Sequence, residues 1–143
     1  MAKIKDLMVK DVISLETYAS AYEAVKLMNE NKIGCLVVLR DGEAVGILTE
    51  RDLLERVLEK CKNPKDTHVF EVMTSHIVTG SPEMEIPEAA RVMFENRVKK
   101  LPLIEGNKLV GIVTLTDIAH AASVDEETIE LVENLFNLHV LGH

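Results

Sequence analysis

Apolar residues recur along the chain at two spacings, which predicts short strands alternating with helices. A first apolar cluster at 12–15 predicts a brief strand. Behind Ser20, residues Ala21, Ala24, Val25 and Met28 recur at helical spacing, and Glu23 completes the form of a capping box with Ser20. This pattern predicts a helix that runs to about residue 31.

A hairpin and a second helix follow. The apolar runs 36–39 and 44–48 flank Asp41-Gly42, a pair that supplies the positive φ angles of a tight hairpin turn. Apolar residues return at helical spacing from Leu53 to Leu58, and Pro64 ends that pattern. The predicted order of this unit is β-α-β-β-α.

The same unit occurs twice, displaced by 65 positions. Ungapped alignment of 8–52 on 73–117 places identical residues together throughout both units. The matched pairs include Met8 with Met73, Glu23-Ala24 with Glu88-Ala89, Met28 with Met93, Leu36 with Leu101, Val45-Gly46-Ile47 with Val110-Gly111-Ile112, Thr49 with Thr114, and Asp52 with Asp117. We therefore expect repeat 1 at 1–64, repeat 2 at 65–123, and a separate tail at 124–143.

The tail predicts one more helix. Acids from Val124-Asp125-Glu126-Glu127 suit the first turn of a helix, and an apolar stripe follows up to about Leu138. The stripe consists of Ile129, Val132, Leu135 and Phe136. We expect this helix to pack on the body of the protein or on a second subunit, and the closing Leu141-Gly142-His143 to fray.

The junction after each Val-Gly-Ile strand is the main candidate for chemistry. Unpaired N–H groups at a helix start suit an anion such as phosphate. In repeat 2, Thr114 and Thr116 can donate hydroxyls there, and Asp117 can accept hydrogen bonds from a sugar. The alternative is a capping box, in which Thr49 or Thr114 caps a helix and Asp52 or Asp117 satisfies a backbone N–H.

Composition excludes several classes of function. The formal charge of −8 and the scarcity of aromatic residues argue against nucleic acid, which attracts cations and stacking side chains. No apolar run reaches the roughly 20 residues that cross a bilayer, so we expect no membrane contact and a cytoplasmic protein. Cys35 and Cys61 predict reduced thiols. The five histidines lack metal-ligand spacing, and no catalytic constellation is present, so we expect no metal site, no cofactor and no enzymatic activity.

The duplicated unit resembles a pair of CBS domains, also called a Bateman module. The resemblance rests on Gly46-Ile47-Leu48-Thr49-Glu50-Arg51-Asp52 and Gly111-Ile112-Val113-Thr114-Leu115-Thr116-Asp117, with Met73-Thr74 and Lys99-Lys100-Leu101-Pro102-Leu103 around them. It covers about 5–122. It implies an α/β (α+β) fold, in which two β-α-β-β-α repeats pack with pseudo-twofold symmetry and form two clefts for adenosine-containing ligands.

The resemblance also implies roles for individual residues. In one cleft Asp117 binds the ribose and Thr114 and Thr116 lie near ribose or phosphate, while Lys99 and Lys100 lie toward the phosphates. The adenine is enclosed by three residues of repeat 1, namely Ile13, Ile33 and Gly34. The mirror cleft uses Thr49, Arg51 and Asp52, with Val78, Val98 and Lys99 crossing from repeat 2. Because Gly34-Cys35 stands where the other copy has Lys99-Lys100, and Arg51 replaces a hydroxyl, we expect the Asp52 cleft to be weaker or differently selective.

The resulting expectation is a non-enzymatic sensor. An adenine nucleotide (AMP, ADP or ATP) or S-adenosylmethionine binds between the repeats, and an unidentified regulated protein reads the change. A homodimer in which the helices of two chains meet in a flat, four-repeat disc is expected as well. The alternative is a scaffold or dimerisation module with vestigial clefts, and a soluble enzyme ranks third.

Overall fold

The computed structural model describes residues 2–121 and 125–140. Predictions on Val124, on the boundary at 123–124 and on Leu141-Gly142-His143 therefore lie outside the described residues. The chain divides into two compact units. We call Ile13–Ile77 the first unit, and Met1–Val12 together with Val78–His143 the second unit.

Five strands and six helices make up the described chain, which is a mixed α+β fold. The strands are β1 (Ser14–Glu16), β2 (Cys35–Arg40), β3 (Glu43–Thr49), β4 (Lys100–Glu105) and β5 (Lys108–Thr114). The helices are α1 (Ala21–Asn31), α2 (Glu50–Leu53), α3 (Val69–Val72), α4 (Ile86–Asn96), α5 (Leu115–Ala119) and α6 (Glu126–Val140), with short 3-10 turns at Ile4–Asp6 and Pro64–Asp66.

Helix α1 begins and ends as its sequence predicts. The Ser20 hydroxyl accepts a hydrogen bond of 3.0 Å from the Glu23 N–H, which caps the helix start. Met28 and two alanines of its apolar face are buried. The helix ends at Lys32 in the left-handed conformation, and α4 ends in the same way at Arg97.

The sheet of the first unit has the order β1-β2-β3. Strand β1 runs parallel to β2, and β2 runs antiparallel to β3. The hairpin between β2 and β3 turns at Asp41 (φ 53°) and Gly42 (φ 85°), as predicted. Leu36, Val38 and Leu48 of this sheet are completely buried against α1 and α3.

The sheet of the second unit has two strands, β4 and β5, with the same antiparallel register and the same irregularity as β2 and β3. In place of a counterpart to β1, a single parallel bridge joins Gly80 to Leu103. Gly80 occupies the position of Leu15, which anchors β1 by its buried side chain. A glycine has no side chain to bury, so this edge is held by one residue only.

Two helices differ from the simple amphipathic picture. After α2, the chain continues as a π-helix at Leu54–Leu58, in which backbone hydrogen bonds join residues five apart instead of four. Along α6, Val132 and Leu135 are buried, whereas Ile129 is 44% and Phe136 is 37% exposed. The predicted stripe of α6 is therefore split between a buried and an exposed face.

None of the helices in the described part of the chain combines the length and apolar character needed to cross a bilayer.

Candidate functional site

The junction between β5 and α5 is closed by reciprocal hydrogen bonds. The Thr114 hydroxyl accepts from the Asp117 N–H at 3.1 Å. The Asp117 Oδ2 accepts from the Thr114 N–H at 2.9 Å. These bonds satisfy two backbone donors at the helix start and fix the carboxylate beside it.

The junction between β3 and α2 repeats this arrangement. Thr49 and Asp52 form the same two hydrogen bonds, at 3.1 and 3.0 Å. The capping interpretation of both motifs is therefore correct, and an aspartate side chain is long enough to reach back to the strand. Capping uses Oδ2 of each carboxylate and leaves Oδ1 for another partner.

The two carboxylates differ in what Oδ1 contacts. The Thr74 hydroxyl donates to Asp52 Oδ1 at 3.2 Å, and the Arg56 Nη1 lies 3.7 Å from the same atom. Asp52 is only 5% exposed. It is thus engaged on both oxygens by its own unit.

Asp117 is half-buried, and its Oδ1 has no hydrogen-bond partner in the described part of the chain. The repeat explains why. The positions of Thr74 and Arg56 are taken in the second unit by Val9 and Ala121, neither of which can donate from its side chain. A ligand hydroxyl can therefore hydrogen-bond to Asp117 without displacing a protein group.

Two cations lie beside the Asp117 junction. Lys100 is paired with Thr114 in the β4–β5 register. The Lys99 carbonyl accepts a hydrogen bond of 2.8 Å from the Leu115 N–H, at the first residue of α5. Burial lowers the pKa of Lys99, because removal of water disfavours its charged form. An anion bound here would replace the lost hydration, and the helix start adds its positive dipole.

In the first unit the equivalent positions carry no charge. Cys35 pairs with Thr49, and the Gly34 carbonyl accepts from the Glu50 N–H at 3.0 Å. A Cβ at Gly34 would collide with the Glu50 carboxylate, which therefore lies over this position. An anionic side chain here opposes binding of a phosphate.

The remaining predicted residues fall into two groups. Thr116 and Arg51 are exposed on their helices, and Arg51 lies 3.7 Å from Glu55 in an ion pair. The four apolar residues are partly buried and pack on the core of their own unit. They are Ile13 and Ile33 in the first unit and Val78 and Val98 in the second. Their contact with a ligand, and every contribution of one repeat to the cleft of the other, stays a prediction.

The geometry that the two junctions share depends on Gly46 and Gly111. Thr74 pairs with Ile47 through two backbone hydrogen bonds: the Thr74 N–H donates to the Ile47 carbonyl at 2.8 Å, and the Ile47 N–H donates to the Thr74 carbonyl at 2.9 Å. A Cβ on Gly46 would lie 2.5 Å from Met73 Sδ and 2.9 Å from the Thr74 carbonyl oxygen. Gly111 admits Met8-Val9 in the same way. Each glycine thus lets a neighbouring backbone approach the strand before the junction.

Sequence reasoning missed Thr74 and Arg56 as partners of Asp52. The alignment of the two repeats does contain a signal, because Thr74 aligns with Val9 and Arg56 aligns with Ala121. A polar residue in only one copy indicates an interaction that only that copy makes. Within the described ranges, no group of three His, Cys, Asp or Glu side chains is arranged to hold a metal ion.

The duplicated α+β unit and its capped strand–helix junctions define a tandem-repeat protein. A family model described as the CBS domain matches residues 4–59 and again 69–124. The chain belongs to the CBS domain family and carries two of these domains in tandem, which confirms the resemblance seen in the sequence.

The chain is similar to other CBS domain proteins over most of its length. The CBS domain-containing protein YhcV of Bacillus subtilis is 34% identical over 119 residues, which span 83% of this chain and 84% of that protein. The CBS domain protein TA0289 of Thermoplasma acidophilum, described as of unknown function, superposes with a TM-score of 0.79 at 26% identity, over 95% of this chain and 76% of that one. A hexameric CBS-CP12 protein from bloom-forming cyanobacteria superposes with a TM-score of 0.73 at 30% identity, over 83% of this chain and 67% of that one.

Proposed function

We propose that this protein is a non-enzymatic regulatory module of the cytoplasm that binds an adenosine-containing ligand and signals to a partner protein. Tandem CBS domains are commonly regulatory and ligand-binding. The ligand is AMP, ADP, ATP or S-adenosylmethionine, and it occupies clefts formed by both repeats. Asp117 accepts the ribose hydroxyls, and Lys99 and Lys100 bind the phosphates.

The observation that carries this proposal is the uncommitted Oδ1 of Asp117 beside two lysines. A carboxylate held in place by a capping bond needs no rearrangement to receive a sugar hydroxyl. Hydrogen bonds to charged groups contribute more than neutral ones, roughly 1.5–3 kcal/mol each. Desolvation of Lys99 adds to its attraction for an anion.

The two clefts are unequal in this proposal. The Asp52 side has a carboxylate that is already paired with Thr74, a glutamate over Gly34, and no cation at the positions of Lys99 and Lys100. We expect it to bind nucleotide more weakly than the Asp117 side. Thr49 and Arg51 remain its candidate contacts.

Regulation follows if the ligand prefers one arrangement of the protein over another. A ligand shifts such an equilibrium only by its differential affinity for the two states, and its coupling to a partner protein is reciprocal. The regulated partner is therefore expected to change the affinity for nucleotide by the same factor by which nucleotide changes the affinity for the partner.

We also propose that the protein is a homodimer whose helical surfaces meet. Leu54 is 49% and Leu58 is 70% exposed, and Ile129 and Phe136 of α6 are also exposed. Apolar surface of this kind favours association. The hexameric state named for the cyanobacterial relative supports self-association of this fold.

A second candidate function is a scaffold or dimerisation module with vestigial clefts. Asp52 favours this function, because both oxygens of its carboxylate accept hydrogen bonds from its own unit. A thermal-shift panel of AMP, ADP, ATP and S-adenosylmethionine separates the two candidates, because a ligand of the native state raises its melting temperature. If none of the four ligands raises the melting temperature at millimolar concentration, the scaffold function is favoured.

A further inference from the structure

The helical face of repeat 2 is covered by α6. Val132 and Leu135 of this helix are buried in the core that α4 and α5 supply. Arg91 of α4 forms an ion pair with Glu127 in the first turn of α6 at 2.9 Å. This face therefore accepts an amphipathic helix with an acidic first turn.

The equivalent face of repeat 1 is an open apolar groove of about 630 Å³. Helix α1 forms one wall, and α2 with the following π-helix forms the other. Its apolar lining consists of Val25, Met28, Ile33, Leu53, Leu54, Val57, Leu58 and Pro64. Three of these residues occupy the positions of Ala90, Met93 and Ile118 in repeat 2, all of which are buried there.

The groove differs from its counterpart in exposure. Leu53 is half-buried whereas Ile118 is completely buried, and Leu54 and Leu58 extend from the wall into solvent. Apolar side chains of this size so exposed, next to one concave surface, mark a site that another molecule covers. Among the described helices of the first unit, none lies on this face as α6 lies on repeat 2.

The charges around the groove select its occupant. Lys32 and Lys62 line it, and Lys26 occupies the position of Arg91, the cation that pairs with Glu127 of α6 on repeat 2. Lys26 forms no salt bridge with any described residue, although it lies 5.8 Å from the Tyr22 ring. Glu50 is the only acid in the lining. An acidic amphipathic helix complements this rim.

The exposed face of α6 has those properties. Ile129 and Phe136 are seven residues apart, two turns along one side of the helix. Glu133 lies between them on that side, and Glu126 and Glu130 flank Ile129. All three glutamates are exposed. The face thus pairs two apolar side chains with a surplus of negative charge.

We propose that the groove of repeat 1 receives the exposed face of α6 from a second copy of this chain. The inference rests on the proposed homodimer and specifies its contact. The helix keeps Val132 and Leu135 on its own repeat 2 while Ile129 and Phe136 enter the groove of the partner. The contact joins two different surfaces, and a closed pair makes it twice.

Complementation between two variants tests this arrangement. Leu54→Glu/Leu58→Glu disables the groove, and Ile129→Glu/Phe136→Glu disables the helix face. All four side chains are substantially exposed, so both variants are expected to fold, and circular dichroism with thermal unfolding verifies this. Each variant alone should dimerise at least about 30-fold more weakly, as for loss of an interface hot spot. A mixture of the two should form a mixed pair, because one intact helix face then meets one intact groove.

Sedimentation velocity with one variant fluorescently labelled measures the mixed pair. A monomeric wild-type chain at micromolar concentration overturns the proposal, since a helix of some other protein would then be the occupant. A groove that meets a second groove is also distinguishable. In that case the helix-face variant stays dimeric and the mixture gains nothing.

Two further variants test the charge argument. Lys62→Glu should weaken dimerisation, whereas Lys10→Glu, an exposed charge reversal outside the groove, should leave it unchanged. Equal effects of both would contradict the role of the groove rim. Titration of AMP into each variant keeps the proposed function separate, because failure of nucleotide binding leaves the dimerisation result intact, and the reverse also holds.

Discussion

The carboxylate of Asp52 and the hydroxyl of Thr74 form a hydrogen bond of 3.2 Å that the other repeat does not make. Val9 stands at the position of Thr74 in the second unit, and none of the described residues hydrogen-bonds to Asp117 Oδ1. This methyl-for-hydroxyl difference, together with Ala121 at the position of Arg56, separates the carboxylate that is bound by its own unit from the one that a ligand can contact.

Replacement of Asp117 by alanine separates the two roles of this side chain. Loss of the capping bond should destabilise the fold by about 1 kcal/mol. Loss of the ribose contact should weaken nucleotide binding about ten- to a hundredfold, equivalent to roughly 1.5–3 kcal/mol. Calorimetric titration with AMP and thermal unfolding measure the two effects. Asp117→Asn keeps a cap but is a poorer acceptor for two hydroxyls, so it should lose affinity with less loss of stability. Normal affinity in both variants would assign Asp117 to capping alone.

Exchange of the partner residues should transfer the asymmetry. Thr74→Val leaves the buried Asp52 without its hydroxyl donor and should destabilise the fold by about 1–3 kcal/mol. Val9→Thr offers a hydroxyl to the Asp117 carboxylate that competes with a ligand, and should weaken AMP binding by up to about a hundredfold, since a hydrogen bond to a charged group contributes up to about 3 kcal/mol. Urea unfolding and titration provide the measurements. An unchanged affinity in Val9→Thr would argue against Asp117 Oδ1 as the ribose acceptor.

Lys100→Ala should distinguish phosphate recognition from nucleoside recognition. The lysine is paired with Thr114 at the junction, and a cation there contributes only to ligands that carry an anion. Titrations should show a larger loss for ATP and AMP than for adenosine. Lys108→Ala, at the far end of the same strand pair, is the matched control. Equal losses for phosphorylated and unphosphorylated ligands would refute the role of Lys100.

Lys99 predicts a pH dependence of nucleotide binding. Burial lowers its pKa below the ordinary lysine value of 10.5, so it loses its charge at a lower pH than an exposed lysine. Affinity for ATP should fall as the pH rises toward that lowered pKa, whereas affinity for adenosine should not. The free energy of unfolding changes with pH in the opposite direction. Because the folded state binds the Lys99 proton less tightly than the unfolded state, the contribution of Lys99 to stability becomes more favourable as the pH rises through its folded-state pKa. Lys99→Arg should abolish the alkaline loss of affinity, because arginine stays charged.

Alanine at Gly46 or Gly111 should destabilise the protein by about 1–3 kcal/mol, as forced overpacking does. The added Cβ would meet Met73 or Met8 and the backbone beside it. Gly34→Ala is the control, since its nearest neighbour is the movable end of Glu50. Chemical denaturation of the three variants measures the difference. A Gly34 variant as unstable as the other two would show that close approach of the backbone is not the reason for glycine.

Local signals in the sequence predicted most of the fold. Helix α1 follows from the Ser20 cap and a regular apolar spacing, and the β2–β3 turn follows from Asp41-Gly42. Both depend on residues close together in the chain. The absence of a strand equivalent to β1 in the described part of repeat 2 was not predicted. The alignment of the repeats did not indicate that Gly80, which lacks the buried side chain of Leu15, would form only a single bridge. The π-helix after α2 was likewise missed, since its apolar spacing resembles that of an ordinary helix.

The candidate site shows the same limit. The Thr-x-x-Asp spacing predicted the capped junctions, because the partners are three residues apart. The partners of Asp52 lie elsewhere: Arg56 reaches it from the next helical turn, and Thr74 reaches it from a segment 22 residues away in the chain. Only the fold brings that segment to the strand, so the difference between Asp52 and Asp117 could not be inferred from either motif alone.

The pairing of Met8-Val9 with β5, and of Met73-Thr74 with β3, has a consequence for dissecting the protein. The second unit is assembled from both ends of the described chain, because Val9 pairs with Ile112 of β5. A fragment spanning 13–77 contains every strand and bridge of its unit. A fragment that starts at residue 65 lacks the segment that covers Gly111 and leaves the edge of β5 open, which makes it prone to aggregate. Proteolytic removal of the residues before position 10 should therefore destabilise the second unit, whereas the first unit, which follows directly in the chain, should keep its strands and bridges.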